Sequence, residues 1–175
     1  MLTSLLALVA VVSALGIVVL RLVAPTSATA RSVALAVDDA ALWLAFLVAA
    51  GATAGSLYFS EVADYVPCRL CWFQRIAMYP LAVICLVAAV RRDRAVRWYA
   101  APLAIVGASI STYHYLLEWR PELEGGACDV GPSCAVPWFR EFGFVTLAFM
   151  ALCGFVAILV LLFSPPSDRP LEARW

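Results

Sequence analysis

The sequence predicts an all-α integral membrane protein, a four-helix bundle with one additional N-terminal transmembrane helix. Three observations predict it. Of the 175 residues, 65% are hydrophobic and only 14% charged. The mean hydropathy is +0.93. Five apolar runs near the length that crosses a bilayer alternate with charged or Pro/Gly-rich breaks. Soluble domains carry about 25% charged residues, so the composition excludes an ordinary soluble globule. A formal net charge of zero, with arginines dispersed through short connections, leaves no electrostatic footprint for nucleic acid, and none is expected as a partner.

The first run covers residues 2–20. Ala28-Thr29-Ala30 resembles a small-residue cleavage site. A cleaved signal, however, would leave residue 31 outside and carry the cysteines at the start of the third run into the cytoplasm. Residues 1–24 are therefore read as a retained helix with its N-terminus outside. Residues 25–39 read as a polar, flexible cytoplasmic linker. The runs 40–59, 71–90, 98–117 and 142–163 make up the four-helix domain, residues 40–163, and 164–175 form a cytoplasmic tail. With no water in the hydrocarbon to satisfy a free backbone, each run is expected to be helical.

Orientation follows from the arginines, since positive loops stay in the cytoplasm. Arg91, Arg92, Arg94 and Arg97 crowd the link between the third and fourth runs, and counting outward places Arg21, Arg31, Arg169 and Arg174 on the same side. The opposite side holds Arg69, Arg120 and Arg140 but most of the acids. This assigns Cys68, Cys71, Cys128 and Cys134 to the outside.

The six cysteines fall into two classes. Cys85 and Cys153 lie inside apolar runs, where a free cysteine is a small hydrophobe. Cys68 and Cys71 form a Cys-x-x-Cys pair at the mouth of the third run, just after Pro67, which suits a helix start. The unsatisfied amides of a helix N-terminus and a nearby Arg both favour thiolate over thiol. Arg75 follows Cys71 by four residues and shares its face. A cation at that depth needs a partner, and a quinone carbonyl or a thiolate would serve; snorkelling to the interface is the other reading. His114, the only histidine, is either a proton donor at the depth of Arg75 or an interfacial belt residue. Cys128 and Cys134 flank the Gly131-Pro132 turn signal in the longest external connection. They are either a structural staple or a second redox pair. Four external thiolates would suit zinc, but an oxidising compartment works against it, and no metal is expected.

The stretch Pro67-Cys68-Arg69-Leu70-Cys71-Trp72-Phe73-Gln74-Arg75-Ile76-Ala77-Met78-Tyr79-Pro80 closely resembles the signature of the DsbB/BdbC disulfide bond formation proteins, particularly the BdbC-like branch. Tyr113-His114-Tyr115-Leu116-Leu117 and the Cys128 to Cys134 stretch leading into Phe142-Gly143-Phe144-Val145-Thr146 are similar to the same branch. The resemblance implies a multi-pass enzyme of the inner (cytoplasmic) membrane. Such an enzyme reoxidises an extracytoplasmic thioredoxin-like, DsbA-like thiol oxidase and hands two electrons to a membrane quinone, ubiquinone or menaquinone. It implies Cys71 on the quinone side, Cys68 exchanging with the outer pair, Cys128 and Cys134 meeting the partner, and Arg75 with His114 at the quinone. The helix over residues 2–20 departs from the family's four spans. Two other readings are a reductase resembling vitamin K epoxide reductase, whose Cys-x-x-Cys comes late in the bundle, and a non-enzymatic membrane protein stapled by disulfides.

Overall fold

The computed structural model describes residues 2–24, 27–124, 128 and 132–163. Five helices carry the chain: α1 Leu2–Val23, α2 Ala28–Glu61, α3 Arg69–Arg91, α4 Arg97–Leu117 and α5 Leu147–Leu162. The first four are long and apolar enough to span a membrane, and α5 is a shorter apolar helix. Together they form a helical membrane bundle in which α2, α3, α4 and α5 surround a common core and α1 packs against α2 and α5.

Three helices, α2, α3 and α5, start where a side chain satisfies one of their first amides. Ser27 caps α2 by accepting from Ala30 N at 3.4 Å, Cys68 caps α3 through its sulfur, and Thr146 caps α5 by accepting from Phe149 N at 3.2 Å. α3 ends at Arg92, whose φ of 54° is left-handed. Pro80 and Pro102 sit within α3 and α4.

Two expectations need correction. Residues 28–39 are not a linker but the first three turns of α2, which runs 34 residues without a break. Ala34, Asp38, Ala41, Ala45 and Ala49 form one buried stripe at helical spacing. Asp38, which made the segment look polar, is only 3% exposed and pairs with Arg21 of α1 at 2.9 Å. Of the expected linker, residues 25–26 lie outside the described residues, as does the tail 164–175. The fifth run was expected to be helical from residue 142, yet α5 begins at Leu147. Glu141 and Val145 instead exchange backbone hydrogen bonds of 2.9 and 2.8 Å around a turn in which Phe142 and Gly143 have φ of 53° and 80°. Gly143 supplies at no steric cost a conformation that L residues avoid.

The core is built from small residues, which let helices approach closely where lipid offers no hydrophobic drive to associate. Ala49, Ala77, Ala100, Ala101 and Ala104 surround Leu81, Phe155 and Ile158. The tightest point is Gly107 on α4, where an added Cβ would lie 2.3 Å from the Phe155 ring. Gly107→Ala is therefore expected to destabilise the bundle by about 1–3 kcal/mol, despite alanine's better helix propensity. Unfolding in detergent micelles would measure this, and adding Phe155→Leu should recover part of the loss.

Candidate active site

The start of α3 sets the geometry. Cys68 is the N-cap residue, with φ −71° and ψ 171°, and its Sγ accepts from Cys71 N at 3.3 Å. One turn on, Cys71 brings its own Sγ to 2.7 Å from that of Cys68. Both are free thiols, as are the buried Cys85 and Cys153. The Cys71 side chain, hydrogen-bonded to Cys68, pulls the Cys68 thiol well below the usual range; burial pushes the other way, and His114 adds to the pull.

His114 is 4% exposed and not an interfacial belt residue. Its Nε2 lies 3.7 Å from Cys68 Sγ, and its Nδ1 lies 3.2 Å from Gln74 Nε2. One ring nitrogen thus meets the Gln74 amide and the other faces the Cys68 sulfur. His114 was expected beside Arg75, but it lines a small space shared with Cys68, Cys71 and Glu118 and not the large cavity into which Arg75 faces.

Cys128 and Cys134 form a disulfide, with Cα atoms 6.0 Å apart. Both are buried, packed against Cys68, Leu70 and Leu117. The sulfurs of Cys68 and Cys134 and a ring nitrogen of His114 all lie within 4.8 Å of one another. That trio has metal-ligating atoms, but the disulfide removes the thiolate that Cys134 would need to offer a soft ion.

Arg75 is held by Ser56 of α2. Its Nε donates to Ser56 Oγ and its Nη2 to Ser56 O, each at 2.9 Å, while the guanidinium lies 5.2 Å from the Trp72 ring centre. Tyr79 OH donates to the same Ser56 Oγ at 3.4 Å. Arg75 and Cys71 line a largely apolar cavity of about 410 Å³, within the size range of small-molecule sites. Cys71 thus borders both spaces, whereas Cys68 and His114 border only the small one.

Three contributors escape a sequence reading. Ser56 carries no motif, and Gln74 gains its role only from His114 on another helix. Glu118, one turn after His114, is 8% exposed, and its Oε2 has no hydrogen-bond partner among the described residues. Burial pushes its carboxyl above the usual range, against a hydrogen bond from Thr146 and the positive fields of His114 and Arg140. Its one-turn offset from His114 was the available signal.

A bundle of membrane helices in which two free thiols, Cys68 favoured as the thiolate, lie beside a second, disulfide-bonded pair defines a membrane thiol oxidoreductase. Residues 38–164 match the family described as "Disulfide bond formation protein DsbB", and the chain belongs to that family. It is 43% identical over 122 residues to "Disulfide bond formation protein C" of Bacillus subtilis (strain 168), a match covering 69% of this chain and 88% of that one. It is likewise 43% identical over 128 residues to "Probable disulfide formation protein C 1" of Bacillus anthracis, covering 72% and 91%. No solved structure matches the chain.

Alkylation of the reduced protein, mapped peptide by peptide, should show Cys68 reacting with a midpoint below the ordinary thiol value of about 8.5. Only the thiolate reacts, so a lowered pKa keeps the rate flat above that midpoint and lets it fall as acid protonates the sulfur. His114→Ala should move the midpoint upward; an unchanged midpoint would remove His114 from the Cys68 environment.

Proposed function

We propose that the protein reoxidises an extracytoplasmic, thioredoxin-like dithiol oxidase of the DsbA kind and delivers the electrons to a membrane quinone. The observation that carries this reading is the placement of the sulfurs: Cys68 lies within 4.8 Å of Cys134 on one side and 2.7 Å from Cys71 on the other, and Cys71 faces the cavity that holds Arg75. The four sulfurs form a path from an outer loop to an apolar chamber. The arginine distribution supports an orientation with this end outside the cytoplasmic (inner) membrane.

The chemistry is serial thiol–disulfide exchange. A partner thiolate attacks Cys128, and Cys134 leaves as thiolate; the partner's second thiol then closes the partner's disulfide and frees Cys128. With the inner pair oxidised, the Cys134 thiolate attacks the Cys68 sulfur and displaces Cys71. Cys128 next attacks Cys134, which restores the outer disulfide and leaves Cys68 and Cys71 reduced. His114 Nε2 is placed to stabilise the Cys68 thiolate and to exchange its proton, and the buried carboxyl of Glu118 is the next proton acceptor in the same space. In this scheme Cys128 is the sulfur that meets the partner, a choice supported by the closeness of Cys134 to Cys68.

The cavity suits an aromatic head group: its walls are largely apolar, and three of its polar groups, Arg75, Tyr79 and Ser56, converge through Ser56. When bound, a quinone supplies a sink for two electrons and two protons as the Cys68–Cys71 disulfide re-forms. Arg75, braced by Ser56, would bind a carbonyl oxygen, and Cys71 would present its sulfur to the same chamber.

Cys68→Ser and Cys71→Ser are each expected to abolish quinone-dependent oxidation of a dithiol protein by the purified enzyme; full activity in either would overturn the proposal. Arg75→Ala should raise the quinone KM about tenfold or more, the scale of a lost charge-assisted hydrogen bond, with little change in the KM for the dithiol. An unaltered quinone KM would take Arg75 out of the acceptor site.

A further inference from the structure

The helix that precedes the family match has a place in the acceptor chamber. Residues 38–164 carry the match, and α1 lies wholly before it. The cavity beside Cys71 and Arg75 is nevertheless bounded by four helices: α2, α3, α5 and α1. The α1 contribution is Thr3, Leu6, Ala7 and Ala10, the i, i+3, i+4, i+7 stripe of a single helix face. Leu5, Val9 and Val12, exposed by 50%, 61% and 65%, are absent from the lining; Leu6, at 60%, lies at the rim where the stripe meets the surface.

A second observation shows that α1 is fixed in register. At the far end of the helix, Arg21 Nη2 meets the buried Asp38 carboxylate of α2 at 2.9 Å, and Nη1 donates to Val160 O of α5 at 3.3 Å. Between this clamp and the cavity, Ala14 is 3% exposed against its neighbours. Breaking an ion pair inside an apolar bundle strands a buried charge, so the clamp holds α1 across α2 and α5. The two alanines in its stripe set how much room the chamber keeps on that side.

We propose that α1 is the fourth wall of the quinone chamber, with Thr3, Leu6, Ala7 and Ala10 in contact with the bound acceptor. This rests on the acceptor reading above and extends it to a segment outside the matched family region. The helix thereby limits the bulk of ring that the chamber admits, and it closes the α2–α5 side to lateral entry from lipid.

The test uses the full-length protein in lipid nanodiscs and a photoreactive azido-quinone with an isoprenoid tail. After illumination and peptide mapping, labelling that unmodified quinone competes away is expected on residues 3–10 as well as 71–78. Competable label on α3 with none on α1 overturns the wall assignment while leaving the acceptor site intact. No competable label anywhere overturns both. Independently, Ala7→Trp and Ala10→Trp should raise the quinone KM about tenfold or more, the scale of an overpacking cost. Val12→Trp, on the outward face of the same helix, should leave it unchanged. Equal effects from Ala10→Trp and Val12→Trp would mean that α1 acts only on the stability of the bundle, and would overturn the proposal.

Discussion

The sulfur of Cys68, capping the first turn of α3, is the contact on which the rest of the site depends. Pro67 disfavours helical backbone at the residue before it, the chain caps at Cys68, and the cap draws the sulfur onto the positive end of the helix axis. Once that atom is fixed, Cys71 falls on the same side one turn later and Arg75 one turn deeper. Each of the other elements then meets the cap from a different direction. α4 brings His114 to it, the connection between α4 and α5 brings Cys134, and α2 supplies the serine that steadies Arg75.

Polar groups in an apolar bundle are costly unless they find partners, and here they are paired across helices. Arg75 rests on Ser56, Arg21 on Asp38, and Gln74 on His114. These pairings cross α2–α3, α1–α2 and α3–α4, so they fix the register of a bundle whose alanine-rich faces would otherwise slide. Glu118 departs from the pattern: one carboxylate oxygen has no hydrogen-bond partner among the described residues, and the side chain borders the space beside Cys68. A buried acid of raised pKa next to a reacting sulfur suits proton traffic more than stability.

Much of this was legible in the sequence for a simple reason. The spans follow from runs of apolar residues, and Cys68, Cys71 and Arg75 belong to one local motif whose spacing implies a shared face. Features that depend on a distant partner were not legible. Asp38 made residues 28–39 look like a polar linker because its neutralising Arg21 sits on another helix. The stretch 142–145 is apolar enough to pass for helix, and only its backbone angles reveal a turn. His114 could be placed at the right depth but not on the right side of the cysteines, since that depends on how α4 is rotated against α3. Nor does the spacing of Cys128 and Cys134 say that Cys134 lies within 4.8 Å of Cys68.

The turn that delays α5 has an effect on the surrounding lipid. A helix of 16 residues rises about 24 Å, short of a hydrocarbon layer of about 30 Å. Such hydrophobic mismatch is relieved by thinning the nearby leaflet or by drawing flanking side chains into the headgroups. The missing length is on the cysteine side, where Trp138 stacks on Tyr65 at 4.9 Å and Tyr65 on Phe59 at 5.7 Å. Phe59, Tyr65 and Trp138 also line the chamber, so at the end where α5 falls short it is an aromatic stack that walls the chamber in place of another turn of helix.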